Sequence, residues 1–583
     1  MQAQRPTKEW IMSRLSRRAL LGSGAGALAA AAIAWPSRAN AYVEPYEQLV
    51  NSLSLDQKIR QLFLQPVHGR SARSADSRNT KLYGEATPAG VLRRHRFGGV
   101  ILRPDAGQFT STRAVLNFTN DLQRAAQARG GVPLQVVWEG HLSGLVDAGI
   151  PVTEFPEPMA LGAHEGLRFQ GWGLNDTQPK EALNLGINTW FGVRADVSSN
   201  PNNPVLGTQV YGGTPELVTA RARVDEGGAS RGAVQLAAVR MFPGAGDVTV
   251  GDNGLPTSER TREEWDAREG AVFKALASGV EIIQVGHIVA VGLDPSGTPA
   301  SLSRTIIGDI LRGQLQFSGV VVTDSLADPA LRALHGDGEL AVRALEAGAD
   351  QLHDSADPVA AIEAIHAAIR DGRLSADDIH VKVKRILRAK RYLPTADFLP
   401  DAWGLRGIND DTSRRVAEAA ARGGVTVVHN DGVLPLSQAG AVVVGHHERL
   451  GKELTAQLGG GSDFVPVGVD PSQQQIDAAV QAAGRAAVVV VLTDGVTAHP
   501  AQKQLVEALV GAGRKVVAVA VGLPQDVGLL DAAAKVATYT SRPVVAKGLA
   551  EVLTGAFAPK GKLPVVVPTA DGGELPISTG LTW

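Results

Sequence analysis

The feature that most constrains this 583-residue chain is a regular alternation of short, continuously apolar runs with longer amphipathic stretches. Runs that are apolar throughout are typical of parallel strands, because helices cover both faces of a parallel sheet. The amphipathic stretches 110–129, 262–278 and 358–371 have the period of helices. The pattern therefore predicts repeated β-α units, with strands at 99–102, 134–138, 187–191, 237–241, 281–285, 320–323 and 349–352.

Seven predicted strands, with an eighth that the pattern does not place, fit an α/β fold of the closed (β/α)8 TIM-type barrel class. A doubly wound open sheet is the alternative. The periodicity stops near 392–409, in a stretch that contains Pro, Gly and Asp. A second series of predicted strands follows, at 425–428, 441–444, 487–492, 516–521, 544–545 and 562–568.

These boundaries predict four segments. Residues 1–41 form a twin-arginine-like signal peptide, and residues 42–391 form the barrel domain. Residues 392–420 form a linker and a connecting helix, and residues 421–583 form a smaller α/β sandwich domain.

The first segment is typical of an export signal. Arg17 and Arg18 precede a modestly apolar Gly/Ala stretch, which ends at the small-residue cleavage site Ala39-Asn40-Ala41. The alternative is that this stretch remains uncleaved as a membrane anchor. Elsewhere in the chain, no segment has the roughly 18 apolar residues that a spanning helix needs. We therefore expect a bacterial protein that is secreted or extracytoplasmic, without stable membrane insertion once the signal is removed.

Composition limits the chemistry. The chain has no Cys, which excludes disulfides, thiolate metal sites and a Cys nucleophile. Its 57 Lys and Arg balance 59 Asp and Glu, so no nucleic-acid partner is expected. No metal or cofactor is predicted: His446-His447-Glu448 is interpreted as a solvated turn, and Gly459-Gly460-Gly461-Ser462 as a plain turn. Catalysis must then come from carboxylates, histidines or hydroxyls.

Candidate functional residues follow the predicted barrel strands directly. The carboxyl ends of barrel strands meet at one mouth, so a polar residue at such an end has a positional reason to be functional. Asp324 ends the strand Val320-Val321-Val322-Thr323 and is the clearest case. Three more candidates are Asp247, His287 and Asp196. Asp196 precedes the rigid loop 200–204.

Taken in order, these segments resemble glycoside hydrolase family 3, especially its β-N-acetylglucosaminidase branch. The resemblance covers nearly all of the chain after residue 41. It implies a TIM-type barrel followed by an α/β sandwich, a carbohydrate substrate and no cofactor. The segments that carry it are 58–63, 98–102, 200–204, 242–247, 287–288, 323–326 and 559–565.

The resemblance implies retaining hydrolysis with Asp324 as the nucleophile, because Thr323-Asp324-Ser325-Leu326 matches the family motif T-D-[AS]-L. Several other positions depart from the branch. Asn253 stands where the branch has its acid/base histidine, and Gly251 where it has the partner aspartate. Arg240 and Met241 replace a Lys-His pair of the branch, and Gln209 replaces an arginine. In the branch motif D-x-E-G-G-R, the chain keeps Glu139 and Gly140 but has His141 and Leu142 in place of the last Gly and Arg.

Two interpretations follow from these replacements. In the first, the chain hydrolyses β-N-acetylglucosaminide-type substrates, such as cell-wall fragments, with Asp252 as a substitute acid, or with His141 or Glu139 redeployed against a different sugar. Six further residues then bind the sugar: Glu139, His141, Asp196, Arg240, Asp247 and His287. In the second, the chain is a catalytically degenerate sugar-binding or interaction protein, because an Asn amide cannot protonate a leaving group and losing acid help costs about 10²–10⁴-fold.

Overall fold

Eight parallel strands close into a barrel in the computed structural model, in the order β1-β11-β10-β8-β5-β4-β3-β2. The structure describes residues 43–103, 109–128, 131–164, 174–232, 235–436 and 440–583. The predicted signal peptide, residues 1–41, lies outside the described residues. The barrel strands are β1 Phe63–Pro66, β2 Gly99–Ile101, β3 Gln135–Glu139, β4 Thr189–Arg194, β5 Leu236–Phe242, β8 Ile282–Val285, β10 Val320–Ser325 and β11 Gln351–His353.

The closed barrel confirms the predicted fold class and shows that the open-sheet alternative is wrong. The strand that the sequence did not place is β1, which pairs with both β2 and β11 and so closes the circle. It has only four residues, includes Gln65 and ends on Pro66. It therefore lacks the apolar run by which the other strands were predicted.

Helices surround the barrel. The predicted helix over 262–278 is in fact two helices, because the backbone of Arg268 (φ −119°, ψ −98°) leaves the helical region. The helices are α1 Val43–Ser52, α2 Leu55–Gln61, α3 Ser77–Tyr83, α4 Pro88–His95, α5 Thr112–Gln127, α6 Gly144–Asp147, α7 Pro158–Ala163, α8 Leu174–Asn184, α9 Pro215–Gly227, α10 Arg262–Ala267, α11 Glu269–Leu276, α12 Pro329–Arg332, α13 Asp337–Ala347, α14 Pro358–Arg370 and α15 Ala376–Ala389. Two π-helices, Gly228–Gly232 and Thr305–Gln314, complete the ring.

A small three-stranded sheet is inserted between β5 and β10. It consists of β6 Thr249–Val250, β7 Pro256–Ser258 and β9 Val289–Ala290. β6 and β7 form an antiparallel hairpin, and β7 pairs in parallel with β9. The hairpin contains the predicted substitute acid, Asp252.

The second domain is a mixed six-stranded sheet in the order β12-β17-β16-β15-β13-β14. Only β12 is antiparallel to its neighbour. Apolar clusters cover both faces of the sheet. The elements of the second domain, in which β18 and β19 form a separate two-stranded sheet, are α16 Asp411–Gly424, β12 Thr426–Asn430, β13 Val442–Gly445, α17 Glu448–Leu458, β14 Asp463–Pro466, α18 Gln473–Ala482, β15 Val488–Thr493, α19 Ala501–Gly511, β16 Lys515–Ala520, α20 Asp526–Leu529, β17 Ala534–Ala537, α21 Ala546–Leu553, β18 Val567–Pro568 and β19 Glu574–Leu575.

Two strand predictions in this domain are wrong. The pair 544–545 lies in the 3₁₀ turn Pro543–Val545, where Pro543 sets the turn. Of the segment 562–568, only Val567–Pro568 forms a strand. Three strands were not predicted: β14, which is exposed at both ends; β17, whose sequence Ala-Lys-Val-Ala has little β propensity; and the two-residue strand β19.

The barrel and the second domain share one apolar core within the unit Tyr46–Trp583. The closing segment of the chain also binds the barrel: Gly213 donates its N–H to Pro564 at 2.9 Å, and Lys562 donates to Ala163 at 3.0 Å. None of the described helices has the length and apolar character required to cross a bilayer. The second-domain members of the shared core are Ala520, Val527, Ala537, Tyr539, Leu563, Val565 and Val567.

Candidate active site

The carboxyl ends of five barrel strands bring charged side chains to one mouth. Each is the last or nearly the last residue of its strand, as expected where parallel strands converge. They are Glu139 on β3, Arg194 on β4, Arg240 on β5, Asp324 on β10 and His353 on β11.

Asp324 is partly exposed at this mouth and is held by two donors. Gln284 donates from Nε2 to Oδ1 at 3.2 Å, and the backbone N–H of Ser325 donates to the same oxygen at 2.9 Å. Both of these hydrogen bonds end on Oδ1, so the carboxylate has a fixed orientation. Oδ2 is then the oxygen available to a bound substrate.

Glu139, Asp324 and His353 form a cluster. One carboxylate oxygen from each acid and one ring nitrogen lie within 4.8 Å of one another. Glu139 lies 3.5 Å from His353 Nε2, 3.8 Å from Arg103 and 3.9 Å from Arg240. Burial alone would raise the pKa of Glu139, but His353, Arg240 and Arg103 outweigh burial and lower it to about 2. Glu139 is therefore ionised at neutral pH.

His353 is completely buried and was missed by the sequence analysis. Burial lowers its pKa, but Glu139, Asp324 and Asp354 together raise the pKa above its ordinary value. The neighbouring carboxylates thus favour the charged form of the imidazole. The signal that could have found it is its position directly after the predicted strand 349–352, by the same rule that selected Asp324.

Three arginines add positive charge at the mouth. Arg103 donates to Asp354 at 2.6 Å, and Arg240 donates to the carbonyl of Phe191 at 3.1 Å. Burial and Arg240 lower the pKa of Arg194 to about 10, against the effects of Asp196 and Asp324. The ligand atoms of Glu139, Asp324 and His353 are close enough together to hold a metal ion. The positive charges of the arginines, together with His353, would repel such an ion, so a metal between Glu139 and Asp324 is not favoured.

Asp196 and Asp247, predicted to bind the sugar, instead make structural contacts. Asp196 is fully buried and accepts the backbone N–H of Ala245 at 2.8 Å. Asp247 accepts from Ser258 Oγ at 2.7 Å and lies 3.7 Å from Arg260 Nε. The two carboxylates fix the segment that follows β5.

The predicted rigid loop 200–204 supports the same segment. Asn203 Nδ2 donates to the carbonyl of Ala245 at 2.6 Å, and Asn200 Nδ2 donates to the carbonyl of Val248 at 2.9 Å. The loop therefore holds the strand end that leads into the hairpin.

We expect Asp196→Ala to lower the free energy of unfolding by about 3 kcal/mol, because it leaves the Ala245 N–H and the Arg194 guanidinium without their partner. Chemical denaturation measures the loss. Asn202→Ala, at an exposed position in loop 200–204, is the control and should change stability by less than about 0.5 kcal/mol. Equal losses in both variants would contradict the structural role of Asp196.

The two histidines of the prediction lie in different surroundings. His287 uses both ring nitrogens, one 2.7 Å from Ser301 Oγ and the other 2.8 Å from the carbonyl of Ser325. It positions the residue next to Asp324. His141 lies away from the cluster, with Nε2 3.1 Å from Gln178 Nε2. Burial, followed by Arg542, lowers the pKa of His141 to about 3.

Asp252 is exposed in the β6–β7 hairpin, and no hydrogen bond or ion pair among the described residues joins it to Asp324. The turn is tight: Gly251 donates to Leu255 at 2.9 Å, and Leu255 donates to Asn253 Oδ1 at 3.0 Å. A Cβ at Gly251 would lie 2.4 Å from Thr257 Oγ1, so this hairpin has no room for the aspartate of the branch pattern.

The hairpin lies beside α12, the helix that follows the Asp324 strand. A Cβ built at Gly254 would be 3.5 Å from Cβ of Ala330 in α12, the first helix after Asp324. Asn253, which replaces the acid/base histidine of the branch, is used in the turn. Asp252 is the only acidic residue of the hairpin, residues 249–258, and the hairpin packs against α12.

Comparison with known proteins agrees with this geometry. The glycosyl hydrolase family 3 N-terminal domain matches residues 54–389, and the family 3 C-terminal domain matches residues 425–579. The chain belongs to glycosyl hydrolase family 3. Both matches follow the barrel and the mixed sheet described above.

Similar family 3 proteins come from several bacteria. Beta-hexosaminidase A of Pseudoalteromonas piscicida is 28% identical over 381 residues, which span 60% of this chain and 63% of that protein. A beta-N-acetylglucosaminidase/beta-glucosidase of Cellulomonas fimi is 29% identical, over 66% of this chain and 67% of that one. The structure of a family 3 beta-N-acetylglucosaminidase from Paenibacillus sp. str. FPU-7 matches with a TM-score of 0.79 and 30% identity, covering 88% of this chain and 99% of that one.

Proposed function

We propose that this family 3 chain is a retaining glycoside hydrolase with Asp324 as its nucleophile. The observation that supports this most directly is the carboxylate at the barrel mouth, which has Oδ1 fixed by two donors and thus leaves Oδ2 for a substrate. Oδ2 forms a bond to the anomeric carbon, and the bond to the leaving alcohol breaks with its electron pair on the alcohol oxygen. That oxygen takes up a proton. Water then releases the sugar from Asp324.

Glu139 has a binding and electrostatic role in this proposal. Its oxygens approach Asp324 within 4.8 Å, close to the roughly 5–5.5 Å of the two carboxyls in retaining glycosidases. However, a carboxyl whose pKa is about 2 has no proton to donate at neutral pH. Its fixed negative charge can instead stabilise the positive charge that develops on the sugar ring.

The proposed proton donor is Asp252. It is the carboxyl group of the hairpin that stands where the branch pattern has its acid/base loop, and this hairpin packs beside α12. In the second step the same group would accept the proton of the attacking water. The hairpin must then close over the mouth when sugar binds.

We expect Asp252→Asn to lower kcat/KM for alkyl β-glycosides by about 10²–10⁴-fold and to leave kcat/KM for dinitrophenyl β-glycosides nearly unchanged, because kcat/KM reports the first step, in which only poor leaving groups need a proton. The kcat for dinitrophenyl β-glycosides should fall, because the second step loses its base. Steady-state kinetics over leaving groups of graded pKa measure this. Glu259→Gln, an exposed carboxylate just after the hairpin, is the control. If Asp252→Asn lowered kcat/KM by the same factor for every leaving group in the series, Asp252 would be excluded as the acid.

The proposed substrates are β-N-acetylglucosaminides, including cell-wall fragments. Support comes from the names of the similar proteins, which are hexosaminidases and β-N-acetylglucosaminidases. Residues 1–41 lie outside the described residues, and the sequence pattern around Arg17 and Arg18 supports export from a bacterial cytoplasm. An extracytoplasmic enzyme would meet such substrates.

The proposal is tested with nitrophenyl β-glycosides of N-acetylglucosamine and glucose, with NMR observation of the first product formed. Retaining chemistry predicts the β-anomer before mutarotation. A first product in the α form would contradict Asp324 as a nucleophile. Sugar binding without turnover of any glycoside would favour the degenerate sugar-binding protein instead.

A further inference from the structure

Two histidines and an aspartate meet outside the barrel, at the carboxyl edge of the second-domain sheet. His446 and His447 directly follow β13, and Asp494 directly follows β15. One ring nitrogen from each histidine and one oxygen of Asp494 lie within 4.8 Å of one another. We propose that these three side chains bind a zinc ion, with the fourth coordination position open to water. The proposal is independent of the glycosidase proposal.

The position of the cluster in the sheet favours a ligand. β13 pairs with β14 on one side and with β15 on the other, so the chain changes direction across the sheet between β13 and β15. At such a switch point the connecting segments leave on opposite sides, and ligands of open α/β sheets bind in the resulting crevice at the carboxyl ends of the strands. His447 and Asp494 stand on the two walls of this crevice.

The distances suit a small tetrahedral ion. His447 Nε2 lies 3.1 Å from Asp494 Oδ2. Zinc bonds of about 2.0–2.2 Å place neighbouring ligands about 3.4 Å apart, so this pair is already at ligand spacing. The ring centroids of His446 and His447 are 3.9 Å apart. Rotation of the His446 side chain would bring its ring nitrogen to the same ligand spacing from His447 and Asp494.

The local chemistry is compatible with metal binding. Gly522 leaves space for the carboxylate, since a Cβ there would lie 2.0 Å from Asp494 Oδ1. Glu448, the sequence neighbour of His447, pairs with Lys452 instead.

A second histidine–carboxylate pair stands beside the cluster. His499 Nδ1 lies 2.8 Å from Asp470 Oδ2. Three protein ligands with an open position are typical of exchangeable and catalytic zinc sites.

The test is calorimetric titration of the full chain with zinc chloride after removal of metal by a chelator. We expect one zinc per chain and a rise in Tm with zinc but not with magnesium. His447→Ala should weaken zinc binding by more than about 100-fold, because loss of a residue that only hydrogen-bonds to a metal ligand already costs about 10–100-fold and His447 binds the metal directly in this proposal. Asp494→Asn, which keeps the shape of the side chain, should weaken binding in the same way if His447→Ala does not fold.

Matched controls assign the site. His429 forms a similar but more exposed pair with Asp431 at 3.0 Å on the same sheet, without a second histidine, so His429→Ala should bind zinc as the parent does. Asp324→Asn should also bind normally, which separates this site from the barrel cluster. Absence of zinc binding, equal loss in His447→Ala and His429→Ala, or loss in Asp324→Asn would each overturn the proposal.

Discussion

Asp324→Asn should reduce kcat on aryl β-glycosides by at least about 10⁴-fold while leaving the fold intact. The amide keeps the shape of the side chain, but it cannot form the ester bond to the anomeric carbon. Loss of a nucleophile removes the whole covalent route, so the residual rate reflects only substrate binding and electrostatics. Circular dichroism and Tm, measured beside the kinetics, show that the loss is chemical.

Asp371→Asn is the matched control for this variant. Asp371 is exposed at the end of α14, and its substitution should leave kcat and KM unchanged. If Asp324→Asn kept a rate within 10-fold of the parent, the assignment of the nucleophile would be wrong. Full activity in both variants would place the chemistry elsewhere in the barrel.

Glu139→Gln has the second-largest expected effect. It removes the negative charge that balances Arg103, Arg240 and His353, and we expect kcat/KM to fall by about 10²–10³-fold, as when one preorganised electrostatic group is lost. Glu281→Gln is the control. Glu281 also pairs with an arginine, Arg391 at 2.7 Å, but at the opposite end of the barrel, and this substitution should preserve kcat/KM.

The same variant has a pH signature. Glu139 is the main group that holds the pKa of His353 above its ordinary value against burial, so Glu139→Gln should lower that pKa. In the parent, protonated His353 contributes stability below about pH 6.5, and this is lost as pH rises through the raised pKa. In Glu139→Gln this pH-dependent contribution should disappear. An unchanged His353 titration by NMR would contradict the coupling.

The fold was predictable because buried parallel strands have a continuous apolar pattern. That pattern placed seven of the eight barrel strands, and it failed at β1, where Gln65 and Pro66 interrupt it. It also failed in the second domain at β14 and β17, which are short and contain polar or alanine residues. These strands are fixed by pairing with their neighbours, which a local pattern does not contain.

The site was predictable only in part. The expectation that polar residues at strand ends reach the barrel mouth placed Asp324 there, whereas Glu139 was selected only by the family resemblance. That expectation could not tell a residue that faces the mouth from one that braces a loop, as Asp196 does for Ala245. His353 obeys the same rule and was overlooked. The proposed zinc cluster joins His447 to a residue 47 positions away, so the sequence showed only His446-His447-Glu448, which was interpreted as a solvated turn.

The most direct test of the central claim is to trap the covalent intermediate. The chain is incubated with a 2-deoxy-2-fluoro glycosyl substrate that carries a dinitrophenyl leaving group, and the protein is digested and analysed by mass spectrometry. The account predicts one sugar per chain, attached to Asp324. A sugar attached to Glu139 or another residue, or turnover of β-glycosides with no labelled peptide, would contradict it.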